Sequence, residues 1–163
     1  MIESAVLWLL ARLAIPKIGL TAVFLISFIS ATLLPMGSEP AVFAVVKADV
    51  GMFWIVILVA TFGNTLGGMV NYWLGYGAHE TFAKEKKTRW FSWLERFGPK
   101  AMFMTWLPGV GDPISTLGGW LKLPFWPCVG YMALGKLLRY VLMTWALMHV
   151  PDHIWRQIAG WVG

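Results

Sequence analysis

Leu34-Pro35-Met36-Gly37-Ser38-Glu39-Pro40 and Leu107-Pro108-Gly109-Val110-Gly111-Asp112-Pro113 are two copies of one pattern, L-P-x-x-small-acid-Pro, in a register of 73 residues. With a one-residue gap the correspondence continues: Phe53-Trp54 falls on Phe125-Trp126, Gly63 on Gly135 and Trp73 on Trp145. A seven-residue pattern followed by three further matches in order reads as an internal duplication. In each copy two prolines five residues apart interrupt an apolar segment. Proline removes a backbone donor and turns the residue before it away from helix, so the pair stops a helix and restarts it.

The surroundings of these breaks are apolar. Of 163 residues 58% are hydrophobic and 13% charged, with a mean hydropathy of +0.67, whereas a soluble domain carries roughly 25% charge. A water-soluble globule is excluded on that balance. Between Lys17 and Glu39 lie 21 uncharged residues and between Asp49 and Glu80 lie 30. A membrane helix needs about 20, so the second run spans. A third stretch, Leu123 to Pro151, is interrupted only by Lys136 and Arg139 and is also expected to span. Open backbone at membrane depth survives only where protein or a water-filled cavity covers it. The pieces flanking Glu39, roughly 20–34 and 40–48, are short for separate crossings, and those flanking Asp112 are shorter still. A hairpin that enters and leaves by one face fits both.

The expected fold is therefore an all-α integral membrane protein, an inverted repeat of two re-entrant helical hairpins, each followed by a transmembrane helix. A hairpin plus one span crosses an odd number of times, which inverts the second half relative to the first, a recurrent plan of secondary transporters. The parts of this single membrane domain are an N-terminal interfacial helix (1–17), a first repeat (18–78), a basic amphipathic linker (79–100), a second repeat (101–150) and a C-terminal tail (151–163). Glu3 precedes the first apolar stretch and Arg12 follows it, the reverse of a cleavable signal peptide.

Six of the 13 basic residues, Lys84, Lys86, Lys87, Arg89, Arg96 and Lys100, sit in the linker. The positive-inside rule places that segment, 84–100, in the cytoplasm. Trp90, Phe91, Trp93 and Phe97 interleave with the charges at helical spacing, as on an interfacial amphipathic helix. The net charge of +5 is thus spent at a membrane surface, and no nucleic-acid partner is expected. One cysteine, Cys128, excludes an internal disulfide framework, and the three histidines have no zinc-site spacing. No metal or other cofactor is expected.

The run Phe28 to Pro40, the run Gly63-Asn64-Thr65-Leu66-Gly67-Gly68 ahead of Tyr72 and Gly75, and the stretch Phe97 to Arg139 resemble the DedA family. That family belongs to the SNARE-associated or VTT-domain superfamily, and the chain is most similar to its small YqaA-like branch. The likeness covers about residues 20–145. It implies re-entrant hairpins packed with spans in a bacterial plasma (inner) membrane, and lipid movement between leaflets, with polyprenyl-phosphate carriers or phospholipids as cargo and acidic residues and a proton gradient involved. It also implies arginines around the second hairpin's proline; the matching positions here are Trp106 and Gly111, with Asp112 following. The acid at Glu39 matches the family pattern.

A carboxylate deep in a bilayer costs about 2.5–3.5 kcal/mol, so Glu39 and Asp112 must pair with a cation or take up a proton. They are the candidate transport and proton-coupling residues; local capping, by Asp112 ahead of Pro113 and by Ser38 ahead of Pro40, is the structural alternative. Lys136 and Arg139 lie three apart on one helical face, at the positions of Asn64 and Gly67 in the first half. They are candidate countercharges, for the acids or for an anionic headgroup, with snorkelling to the interface as the alternative. Arg139, further along the span, is the better candidate. Pro35, Pro40, Pro108 and Pro113 mark the hairpin breaks. Asn64, with Thr65 and Asn71, lines a polar path or bonds between helices, and Gly63 and Gly67 allow close packing.

The leading functional expectation is a lipid flippase or scramblase whose partners are membrane lipids. An ion-coupled transporter of a small solute and a scaffold for membrane-protein assembly are the alternatives. No motif supplies a nucleophile, a metal set or a phosphate loop, so an enzyme is not expected. So short a chain encloses a groove with difficulty, which raises the prospect of a homodimer.

Overall fold

The computed structural model describes residues 16–32, 38–82, 94–107 and 111–149. The described residues are almost all helical, and no strand occurs among them. In chain order they form α1 (Pro16–Thr32), α2 (Glu39–Ala48), a 3-10 turn (Val50–Met52), α3 (Phe53–Phe82), a 3-10 segment (Gly98–Trp106), α4 (Gly111–Trp120) and α5 (Phe125–Met148). The N-terminal helix expected over 1–17, all but the start of α1, lies outside the described residues, as do Pro35, Pro108, residues 83–93 of the basic linker and the tail from 151.

Local chemistry sets the element ends. Pro40 sits in the first turn of α2, where its missing N–H costs nothing. Asp49 ends α2 in an extended conformation and accepts the Gly51 N–H at 2.9 Å, an Asx turn that swings the chain into α3. At the end of α4, Lys122 adopts φ 51°, with Leu123 N–H on the Gly118 carbonyl (3.1 Å) and Lys122 N–H on the Gly119 carbonyl (2.9 Å). This is a Schellman stop, and Pro124 directly behind it starts α5.

The stretch Val50–Ala78 is long and apolar enough to cross a bilayer; the 30 residues of α3 extend about 45 Å at 1.5 Å per residue. At 24 residues α5 has the length as well, but Lys136 and Arg139 dilute its apolar character. Packing is by close backbone approach. α1 lies along α3 at Gly63 and Gly67: a Cβ at Gly63 would stand 2.7 Å from the Phe24 carbonyl oxygen, and one at Gly67 2.8 Å from that of Phe28. α4 lies along a later part of α3 through a reciprocal pair, where a Cβ at Gly75 would overlap the Thr116 carbonyl and one at Gly119 the Tyr72 carbonyl. The 3-10 segment packs on α5 at Gly135, and α2 also packs on α5. Lipid tails are as apolar as leucine, so contact of this kind takes over the role that hydrophobic burial has in water.

Two apolar clusters fill the interior. Val42, Val45 and Val46 of α2 meet Val23, Val56, Ile57, Ala60 and Tyr140 in one; Met102, Ile114, Cys128, Met132 and Tyr72 form the other. The outside is also apolar: Leu58, Phe62, Leu74 and Trp145 are more than half exposed and Trp126 is 76% exposed. A surface of that kind needs lipid as its solvent.

Candidate functional site

Glu39 opens α2 and Asp112 lies in the first turn of α4. Each acid thus stands at the positive end of a helix dipole, and α5 brings a cation to each. Arg139 holds Oε1 of Glu39 through both Nε and Nη2, with Nε at 2.5 Å and both side chains 14% exposed. Lys136 Nζ lies 3.8 Å from Oδ1 of Asp112 and donates a 2.5 Å hydrogen bond to the carbonyl oxygen of Asn64 on α3.

The two pairs differ in kind. Glu39 and Arg139 are in direct hydrogen-bonded contact, and the neighbouring residues extend the clasp: Ser38 and Tyr140, both buried, share a hydrogen bond between their hydroxyls. Ser38 stands at the N-cap position of α2, but its hydroxyl serves Tyr140 and makes no cap; only its carbonyl receives the Ala41 and Val42 N–H groups, each at 3.1 Å. Asp112 and Lys136 stand beyond hydrogen-bond distance, with the Asp112 side chain 33% exposed and that of Lys136 2%. Lys136 is the more enclosed of the two cations, at 2% exposed against 14% for Arg139. Gly68 admits it: a Cβ there would stand 3.0 Å from Nζ and overlap the Met132 sulfur.

The remaining polar residues tie helices together. Asn64 Nδ2 donates to the Ser27 carbonyl (3.1 Å) and Asn71 Nδ2 to the Ala31 carbonyl (2.6 Å), both on α1, while Thr65 bonds within its own helix to the Thr61 carbonyl. Gly63 and Gly67 serve packing against α1. Pro40 and Pro113 lie in the first turns of α2 and α4. Among the described residues no group of three or more His, Cys, Asp or Glu side chains could hold a metal ion.

The VTT domain model matches residues 34–148, from the first quoted motif to the last turn of α5. The chain belongs to the VTT-domain (DedA) family. This VTT-domain protein is 38% identical over 131 residues to Inner membrane protein YqaA of Escherichia coli, covering 78% of this chain and 89% of that relative. The same figures hold for Inner membrane protein YqaA of Shigella flexneri. An uncharacterized protein of Haemophilus influenzae is 37% identical over 133 residues, 77% of this chain and 85% of its own length. No solved structure matches. Family membership and the apolar exterior make the chain a membrane protein.

At the two positions where the family likeness implies arginine, this VTT-domain protein has no space for one of them. A Cβ at Gly111 would stand 2.6 Å from the Thr105 carbonyl oxygen. The cation beside Asp112 comes instead from α5, as Lys136. Sequence reasoning missed Tyr140 and the parts that Gly75 and Gly119 play in packing. Tyr140 had one available signal: Ser38-Glu39 and Arg139-Tyr140 are adjacent pairs, so an ion pair between two of them brings the other two together.

Proposed function

We propose that this protein is a flippase- or scramblase-like lipid transporter. It moves a phospholipid or polyprenyl-phosphate lipid across a bacterial inner membrane, with Glu39 and Asp112 as the groups through which protons are coupled. Its relatives named Inner membrane protein YqaA supply the location. In this reading the chain is multi-pass with its basic linker, 84–100, in the cytoplasm, and it performs no covalent chemistry. The two hairpins, around Glu39 and Asp112, are re-entrant and related by inversion, with α3 and α5 as the spans that follow them.

The observation that carries the reading is the pair of acid–cation contacts held by one face of α5. Charges inside a membrane bundle are expensive and are kept where a polar cargo or a proton passes. Support for the inversion comes from Asn64 and Lys136, which occupy matching places in the two halves and touch each other, as residues on a two-fold axis do. Each hairpin's second leg packs on the other half's span, α2 on α5 and α4 on α3. The acids at the tips then meet α5 in the middle of the molecule. A headgroup could pass beside them while its tails remain in lipid.

The test is movement of a fluorescent phospholipid between leaflets of proteoliposomes, read by quenching from outside, beside uptake of soluble ions and solutes in the same vesicles. Lipid movement above that of protein-free vesicles is expected. Saturable uptake of a soluble substrate without lipid movement would replace this reading by a solute transporter, and neither activity would replace it by a scaffold.

A further inference from the structure

α3 and α5 run antiparallel: Lys136 meets Asn64, and further along the contact the Phe125 ring stands 5.2 Å from that of Tyr72. Beside that contact their outer faces leave a groove of about 600 Å³. On α3 it follows Leu58, Phe62, Leu66 and Met69, a stripe at helical spacing, and on α5 it follows Trp126, Val129 and Ala133. Leu58, Phe62 and Trp126 are more than half exposed and stand at its margins, while Thr61 and Thr65 are buried in its floor. Thr65 gives its hydroxyl to the Thr61 carbonyl at 2.6 Å, and the groove shows almost no polar surface. Water or a charged headgroup would find nothing to bond to there.

The length and direction of the groove say which apolar occupant fits. Leu58 to Met69 extends about 16 Å along α3 at 1.5 Å per residue, or half of a hydrocarbon core about 30 Å thick. The Trp126 end lies against a belt of rings. Tyr76, Trp73, Phe125 and Trp126 follow one another with centres 5.7, 5.5 and 5.3 Å apart, and Lys122 Nζ is 5.0 Å from the centre of the Tyr76 ring. Aromatic rings with a lysine among them are what a helix end carries at headgroup level. A lipid whose glycerol sits at that belt has a chain in line with the groove, and the far end of the groove is then at mid-bilayer. We propose that the groove is a binding site for one acyl chain of a phospholipid, drawn from the leaflet that meets the start of α5. Its volume lies within the range of small-ligand pockets, about 300–1,000 Å³, and without a chain its walls would lack contacts on one side. Thr65 follows Asn64 and Ala133 precedes Lys136 by three residues, so the chain lies against the two helices that carry the Lys136–Asn64 contact. The site goes beyond the transport reading, because holding a lipid there does not require moving it.

Photolabelling of the full chain in vesicles of phosphatidylethanolamine and phosphatidylglycerol tests this. A trace of the phosphatidylethanolamine carries a diazirine on one acyl chain; light expels nitrogen, the carbene inserts into a neighbouring bond, and peptide mass spectrometry locates the adducts. They are expected to concentrate in the groove over open-face positions such as Ile29 and Leu142. With the diazirine close to the ester they fall at Met69 and Val129, and with it at the methyl end of the chain they move to Leu58 and Phe62. Ala133→Phe fills the groove and is expected to remove these adducts while those at Ile29 and Leu142 persist; Leu134→Phe, at the exposed position beside it, leaves both sets in place. The shift with diazirine position is read on wild type and decides the matter if Ala133→Phe fails to fold. Equal labelling of groove and open face, or groove adducts that ignore the position of the diazirine, overturns the proposal. So does an unlabelled groove in a protein that runs as a dimer, which would give the groove to a second copy. Groove adducts in a protein that moves no lipid would overturn the transport reading and leave the site standing.

Discussion

Glu39 and Arg139 form the most enclosed ion pair among the described residues, and the consequence of breaking it can be worked through. Each side chain is 14% exposed, and both guanidinium donors Nε and Nη2 fall on one carboxylate oxygen. Removing one partner of such a pair strands the other charge and costs about 3–5 kcal/mol. At about 2–4 °C per kcal/mol for a chain of this size, Glu39→Gln or Arg139→Gln alone lowers the thermal midpoint by about 6–20 °C. The double variant strands no charge, since two glutamines can bond to each other across the same gap. Its midpoint should lie near that of the milder single variant, giving a coupling energy about equal to the cost of the harsher one, about 3–5 kcal/mol, well outside the ~0.5 kcal/mol scatter of independent sites. Fluorescence-detected size-exclusion melting of the four proteins in one detergent reads all of this. Additive losses in the double variant would refute the pairing, and with it the clasp that fastens α2 to α5.

Three further expectations concern neighbouring contacts. Gly119→Ala forces a methyl into the Tyr72 carbonyl and should lower stability by about 1–3 kcal/mol, despite alanine's better helix propensity; a melting point equal to wild type would contradict the close α3–α4 approach. Tyr140→Phe leaves the buried Ser38 hydroxyl without its partner and should cost about 1–3 kcal/mol in the same assay, with Ser38→Ala on top of it costing little more. Asn71→Leu removes an amide bond to the Ala31 carbonyl and should cost about 0.6–2 kcal/mol, measured by unfolding in mixed micelles, while leaving the Glu39–Arg139 coupling energy unchanged.

What could be read in the sequence was what depends on composition and local backbone. Length of uncharged run marks α3, and the paired prolines mark where α2 and α4 begin, because both effects act within a few residues. The acids and the two cations of α5 were visible for a related reason: charge is rare in this chain, and each instance in an apolar run needs a cause. The duplication placed Lys136 opposite Asn64 in register, and the structure puts those two residues in contact.

The rest lies in contacts between residues far apart in the chain. Nothing in a glycine's sequence neighbourhood says which backbone will approach it, so Gly75 and Gly119 looked like any other small residue in an apolar run, although they bring α4 onto α3. The enclosure of Lys136 depends on the space that Gly68 leaves on a neighbouring helix, which no order of residues along α5 shows. Ser38 looked like a cap because serine before a proline-started helix usually is one. A tyrosine 102 residues later takes its hydroxyl instead.

Central to the account is that lipid passes a site built from the two acid–cation contacts of α5. The most direct measurement is the rate of fluorescent-lipid movement in proteoliposomes for wild type, Glu39→Gln and Asp112→Asn, with and without a pH gradient. The account predicts movement in wild type that responds to the gradient and is lost in Asp112→Asn, with Glu39→Gln also impaired and less stable in detergent. Movement of equal rate in all three proteins, indifferent to the gradient, would contradict it.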